Sequence, residues 1–238
     1  MLAMLAISGK RDANNHGRQS ESLVMTSIYP EKLAAGYGSG LREAITRLIE
    51  ESPAALKGRG SLKSDWIETP IGSMLAVADA NALHLLKFFD GKALPKELKR
   101  LQEKFDCPIA FGRAAPIDSI EKELAEYFAG RSAIFKTPIA CHGSSFVRKV
   151  WAALKAIPPG TTRSYSEIAH DMEQPSCIRA VGRANGANRV VIVIPCHRVI
   201  GRDGSLTGYG GGLWRKRWLL EHEHRMMAQL DFKTTCPI

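Results

Sequence analysis

Apolar side chains recur at three- and four-residue spacing in several stretches of the chain. Leu94, Leu98, Leu101 and Phe105 share one face, as do Ile117, Ile120, Leu124 and Phe128, with Gly130 as a stop. The spacing predicts two amphipathic helices. Leu41, Ile45, Leu48 and Ile49 predict another, with a turn at Gly36-Tyr37-Gly38-Ser39 before it and Pro53 and Gly58 closing it. Trp66–Glu68, Met74–Ala78 and Leu83–Phe89 read as strands, separated by turn residues at 69–72 and 79–81. Farther on, Ser144 or Ser145 can cap a helix carrying Phe146, Val150, Leu154 and Ile157, which Pro158-Pro159-Gly160 ends. Ser164-Tyr165-Ser166-Glu167 has capping-box spacing and opens a short helix to about Met172. After a turn at Gln174-Pro175-Ser176, a second short helix runs from near Cys177 to Asn185. Two short helices on a tight turn make a helix-turn-helix. The β-branched run Val190–Ile194 predicts a buried strand that ends at Pro195 and holds Cys196 at its tip. A last helix carries Trp214, Trp218 and Leu219, then Glu221-His222-Glu223.

These elements divide the chain. Residues 1–27 are polar and expected to be disordered. A helical stretch covers 28–58 and a linker 59–64. A small α/β scaffold covers 65–136, a mainly helical unit 137–225, and a tail 226–238.

Charge adds a partner. Lys and Arg outnumber Asp and Glu by 33 to 24, a formal +9, which favours a polyanion such as nucleic acid. The second helix of the helix-turn-helix offers small or basic residues, which lets a backbone approach a duplex. The five cysteines, at 107, 141, 177, 196 and 236, are odd in number and form no C-x-x-C pair. That predicts a reducing, intracellular chain without disulfides or a cysteine zinc site, and Cys107, Cys141 and His142 make no metal pattern. Met1–Ile7 is too short for a signal peptide, and no apolar run reaches membrane-spanning length. By itself Cys196 beside His197 reads as well as a small core residue. Glu223 alone would be a surface carboxylate, Tyr165 a half-buried helix-start aromatic and Asn188 a turn residue. The glycines of 208–212 suit a wall that closes on a flat ligand through backbone groups.

Together, Pro195-Cys196-His197-Arg198-Val199, Arg179-Ala180-Val181-Gly182, Gly208-Tyr209 and Trp218-Leu219-Leu220 with Glu223 resemble the O6-alkylguanine-DNA alkyltransferases, over roughly 64–223. Residues 28–58 resemble the second half of an AraC-type helix-turn-helix, a truncated remnant. The whole is thus similar to the C-terminal half of an Ada-type protein. The resemblance implies an α/β N-terminal scaffold followed by a mainly helical, winged-helix-like DNA-binding and active-site domain. It implies stoichiometric transfer of an alkyl group from O6-alkylguanine, and from O4-alkylthymine, to Cys196, which consumes the protein. His197 would take the thiol proton through a water, oriented by Glu223. Tyr165 would donate to the base and contact its phosphate, and Asn188 would tie the turn to the active-site strand. Tyr209, a Gly210 N–H, Pro195 and carbonyls near Cys196 and Val199 would form the base pocket. The nucleotide would be flipped out of double-stranded DNA with Arg179 in its place. Ala180, Gly182, Arg183 and Ser164 would lie at the minor groove. No cofactor, metal or membrane is implied, and the protein would be a monomer in the bacterial cytoplasm. Two other functions stay open: an alkylation-responsive transcriptional regulator, and a Cys-His hydrolase.

Overall fold

The computed structural model describes residues 38–50 and 61–235 of the chain. The chain divides into a first unit, Met1–Gly40, and a second, Leu41–Ile238. The expected disorder of 1–27, the closing residues Pro53 and Gly58, and Cys236 lie outside the described residues.

The scaffold is a four-stranded sheet of β1 (Leu62–Ile67), β2 (Met74–Ala78), β3 (Leu83–Phe88) and β4 (Ile109–Phe111), in the order β3-β2-β1-β4. β2 pairs antiparallel with β1 and β3, and β4 runs parallel to β1. Every residue of β2 is buried, because a strand between two neighbours with helices over it must be apolar on both pleat faces. On one face Leu75, Val77 and Leu85 join Leu94, Leu98 and Leu101 of α2 (Leu94–Phe105). A further helix, α3 (Ala115–Phe128), packs on β1 and β2 and buries Ile117, Ile120 and Leu124. β4 was not expected; three residues between two helices carry too little alternation to be read.

Two boundaries differ from expectation. The linker at 59–64 runs into β1, where Leu62, Lys63 and Ser64 pair with Ile109, Ala110 and Phe111. The helix α1 (Gly38–Glu50) takes in Gly38 and Ser39, expected in the preceding turn. Its Ile45 and Ile49, each 2 % exposed, belong to the same core as β2 and α2. Arg42 lies over the Trp66 ring and pairs with Glu68 at 2.8 Å. This helix is therefore a layer of the scaffold.

The second part begins with α4 (Ser145–Lys155), capped by Ser144, which accepts from the Val147 N–H. β5 (Arg163–Ser164) leads into α5 (Tyr165–Asp171), whose N-terminus closes with the expected capping box of Ser164 and Glu167. A 3-10 turn at Pro175–Cys177 follows, then α6 (Ile178–Gly186). β6 (Val199–Ile200) pairs parallel with β5. The last helix, α7 (Leu213–Thr235), runs well into the tail expected at 226–238. Met226 is buried there, so the apolar stripe continues.

The run Val190–Ile194 is not a strand. Leu86 of β3 donates to Arg189 O at 2.8 Å and accepts from Val191 N at 3.1 Å. The chain then turns back: Ile194 N bonds Val190 O at 2.9 Å, and Ile192 sits at φ 74. A β-branched residue in the left-handed region is strained, at about 1–3 kcal/mol. The free edge of β3 is thereby covered, also by Pro138 and Ala140, which bracket Leu83. β-branched content alone cannot tell a strand from a buried tight turn.

Candidate active site

Cys196 opens a single 3-10 turn, Cys196–Arg198, directly behind this reversal, with Pro195 as its N-cap residue. The reversal is pinned by Asn188. Its Nδ2 donates to Ile194 O at 2.7 Å and to Cys196 Sγ at 3.1 Å, while Val190 N donates to its Oδ1 at 2.9 Å. Asn188, expected to tie this turn to the active-site strand, thus bonds both the reversal and the sulfur. Cys196 is 4 % exposed. Burial pushes its thiol up, opposed by the Asn188 bond and by the charges of Lys87 and Lys216. The resting sulfur is therefore a thiol, and it must lose its proton to react.

The next residue of the turn, His197, enters a buried polar cluster around Glu223 of α7. His197 Nε2 meets Glu223 Oε1 at 2.8 Å. Arg198 forks onto the carboxylate, with Nη2 to Oε1 and Nε to Oε2, both at 2.9 Å, and a third bond to Ile157 O. Tyr127 Oη donates to Oε1 at 2.8 Å and Gly160 N to Oε2 at 3.2 Å. Burial would push Glu223 up, but His197 and Arg198 outweigh it and hold the carboxyl far below the usual range. An ionised carboxylate only accepts, so Nε2 of a neutral His197 carries the proton and Nδ1 carries a lone pair. That Nδ1 is buried without a hydrogen-bond partner in the protein. Burial pushes His197 below its ordinary value, against the pull of Glu223, so the imidazole rests neutral. The arrangement is a base with a free lone pair, oriented from behind.

The loop expected to wall a pocket precedes α7. Lys216 is buried and its Nζ donates to Val199 O and to Thr207 O. The Val199 carbonyl, expected to read the base, thus has one lone pair already engaged. Burial lowers Lys216 to about 8, against the opposing influence of Cys196. Arg215 binds Gly211 O at 2.7 Å, Ile71 O at 2.7 Å and Asp90, between the Phe88 and Trp214 rings. Tyr209 has a buried hydroxyl with no partner, and Gly210 is exposed with open space where a Cβ would stand. The dihedral argument for glycine holds in this loop at Gly212, at φ +89. At Gly211 the reason is space, since a Cβ would stand 2.8 Å from Phe88.

The helix-turn-helix forms as read. Arg179 and Arg183 are exposed on α6, and Ala180 and Gly182 are half-buried. Tyr165, at the start of α5, lies against Gly182, and Thr207 Oγ1 donates to its hydroxyl at 3.4 Å. Ala184 of the same helix is buried, its carbonyl taking the Trp151 indole N–H at 2.9 Å. Ser164, expected at the DNA, is also buried, and its hydroxyl is engaged with Glu167 and Ser166 at the cap. Sequence reasoning assigned no role to Arg198, Lys216, Arg215 or Tyr127. Arg198 lies inside the motif and could have been found there. The other three carry no local signal.

His142 is hydrogen-bonded to His84 at 2.8 Å and to Lys104 at 2.6 Å. No cluster of three His, Cys, Asp or Glu able to hold a metal occurs among the described residues. None of the described helices is long and apolar enough to cross a membrane.

Residues 145–225 match the family model for the 6-O-methylguanine DNA methyltransferase DNA-binding domain. Methylated-DNA–protein-cysteine methyltransferase of Salmonella typhimurium is 40% identical over 164 residues, 68% of this chain and 95% of that protein. The Shigella flexneri protein of the same name is 50% identical over 165 residues, 68% of this chain and 95% of its own length. Among solved structures, Mycobacterium tuberculosis OGT in complex with DNA superposes with a TM-score of 0.60 at 36% identity. The match covers 70% of this chain and 94% of that one.

Proposed function

This chain belongs to the methylated-DNA–protein-cysteine methyltransferase family, and from that premise we propose which of its atoms carry the reaction. The protein repairs DNA by direct transfer of an alkyl group from alkylated guanine to itself. Cys196 is the acceptor. The observation that carries this reading is the His197 imidazole beside it in the chain, its Nε2 committed to a buried, ionised Glu223 and its Nδ1 left free.

The proton leaves Sγ and reaches Nδ1 through a bridging water. The thiolate attacks the alkyl carbon in line, so a sulfur–carbon bond forms as the carbon–O6 bond breaks. As the imidazolium forms, the Glu223 carboxylate stabilises it, in the manner of a nucleophile-base-orienter triad. Guanine departs with developing negative charge, met by the Tyr165 hydroxyl and a backbone N–H near Gly210. The product is a thioether, which water does not hydrolyse under mild conditions, so each molecule acts once.

O6 lies inside the base pair, so the nucleotide must be extruded, at an unstacking cost of a few kcal/mol, roughly 2–4. Exposed Arg179 fills the gap, and α6 enters the minor groove with Ala180, Gly182 and Arg183 along it. The protein acts on duplex DNA as a monomer in the bacterial cytoplasm.

Intact-mass analysis after mixing with an O6-methylguanine oligonucleotide tests the assignment. One methyl should appear on the peptide holding Cys196, and Cys196→Ala should bind the duplex without acquiring it. Methyl transfer by that variant would refute the choice of nucleophile.

A further inference from the structure

The scaffold touches the catalytic cluster through one side chain the reaction has not yet used. Tyr127, near the end of α3, is fully buried, and its hydroxyl donates to Glu223 Oε1 at 2.8 Å across 96 positions of sequence. That oxygen also receives His197 Nε2 and Arg198 Nη2. The ring cannot turn away. Phe128, Phe135 and His222 surround it at 5.2–5.6 Å between centroids, and His222 Nε2 bonds the Tyr127 carbonyl at 2.7 Å. Packing alone would be served as well by phenylalanine, without the desolvation of a hydroxyl. Burial, with Glu223 beside it, pushes the phenol well above its ordinary value, so it remains a donor at physiological pH.

We propose that Tyr127 is a positioning residue of the alkyl-transfer site: its hydroxyl fixes Oε1 of Glu223 where the imidazole meets it and sets how firmly that oxygen holds the imidazolium. The proposal rests on the reading of Cys196, His197 and Glu223 given above. Three donors draw on one oxygen, and each weakens its hold on the others. Without the phenol, more of that oxygen's charge falls on the His197 Nε2–H. The imidazolium gains relative to the imidazole, and the base becomes protonated at higher pH. The other charged or titratable groups facing the pair are Arg198 on the carboxylate, Lys216 near His197, Tyr209 near Glu223, and His222 with Arg225 beside it. All of them are retained when only the hydroxyl is removed.

The test is the pH dependence of single-turnover transfer from free O6-benzylguanine, which needs no base extrusion, measured on the full chain. Tyr127→Phe should move the acid limb upward by roughly one pH unit, the scale of a hydrogen bond to a charged group. Replacing Tyr127 by 3-fluorotyrosine, a stronger donor of the same shape, should move it downward, and this variant stays informative if the phenylalanine variant folds poorly. Duplex affinity should not change in either. An acid limb that stays at the wild-type pH in both proteins would overturn the proposal, whatever their melting temperatures. Failure of the wild type to alkylate Cys196 would instead overturn the underlying reading.

Discussion

Lys216 illustrates how much one side chain can do when it is taken out of water. Its ammonium spans Val199 O and Thr207 O, closing the loop onto the turn that carries Cys196. At about 8 it is still mostly protonated at neutral pH, and its charge favours the Cys196 thiolate. Both effects act in the same direction on the reaction. Lys216→Met should therefore slow alkylation at pH 7 by roughly tenfold, the factor that ~1.4 kcal/mol makes in a rate. Without the ammonium the thiol is pushed further up, so the rise in rate that accompanies thiolate formation should move to higher pH in the reaction with O6-benzylguanine. A uniformly slow variant with that rise unmoved would leave the lysine as a loop tie alone.

At the scale of an element, α6 separates its two tasks by face. Val181, Ala184 and Asn185 point inward and are buried, whereas Arg179 and Arg183 are exposed. Among the described residues neither outward arginine side chain makes an ion pair or hydrogen bond, so their loss should register on DNA and not on stability. Arg179→Ala should slow repair of O6-methylguanine in duplex by more than about tenfold. Its reaction with free O6-benzylguanine should match the wild type. Comparison of the two substrates by single-turnover kinetics reads this directly, and equal losses on both would contradict a role in extrusion.

For the whole molecule, the active-site turn is built against the scaffold. Leu86 of β3 receives the chain at Arg189 and Val191, Arg189 pairs with Glu97 of α2 at 2.6 Å, and Arg215 reaches Ile71 and Asp90. The layer beneath includes α1. Ile45→Ala should destabilise the alkyltransferase fold itself by about 2–4 kcal/mol, the range for emptying a buried isoleucine site. Urea unfolding followed at the tryptophans should report this as one lowered midpoint. An unchanged midpoint would mean that α1 stands apart from the scaffold, as an independent remnant would.

Local rules made a large part of this protein legible in its sequence. Helical spacing located α2 and α3, side-chain caps located α4 and α5, and a short apolar run bounded by turn residues gave β2 to the residue, because each depends on near neighbours in the chain. The Pro195-Cys196-His197-Arg198-Val199 motif pointed to the proposed reacting residues only through its resemblance to a family, which a contiguous run can carry. What it could not reveal is that Val190–Ile194 folds back on itself rather than running straight, since β-branched residues satisfy either outcome and the edge of β3 decides between them. Nor could spacing reveal that Tyr127, His197, Arg198 and Glu223 converge on one carboxylate, or that Lys216 is buried beside a thiol. Hydrogen-bond partners far apart in the chain are brought together by packing alone, and the ionisation of each group follows from where packing leaves it.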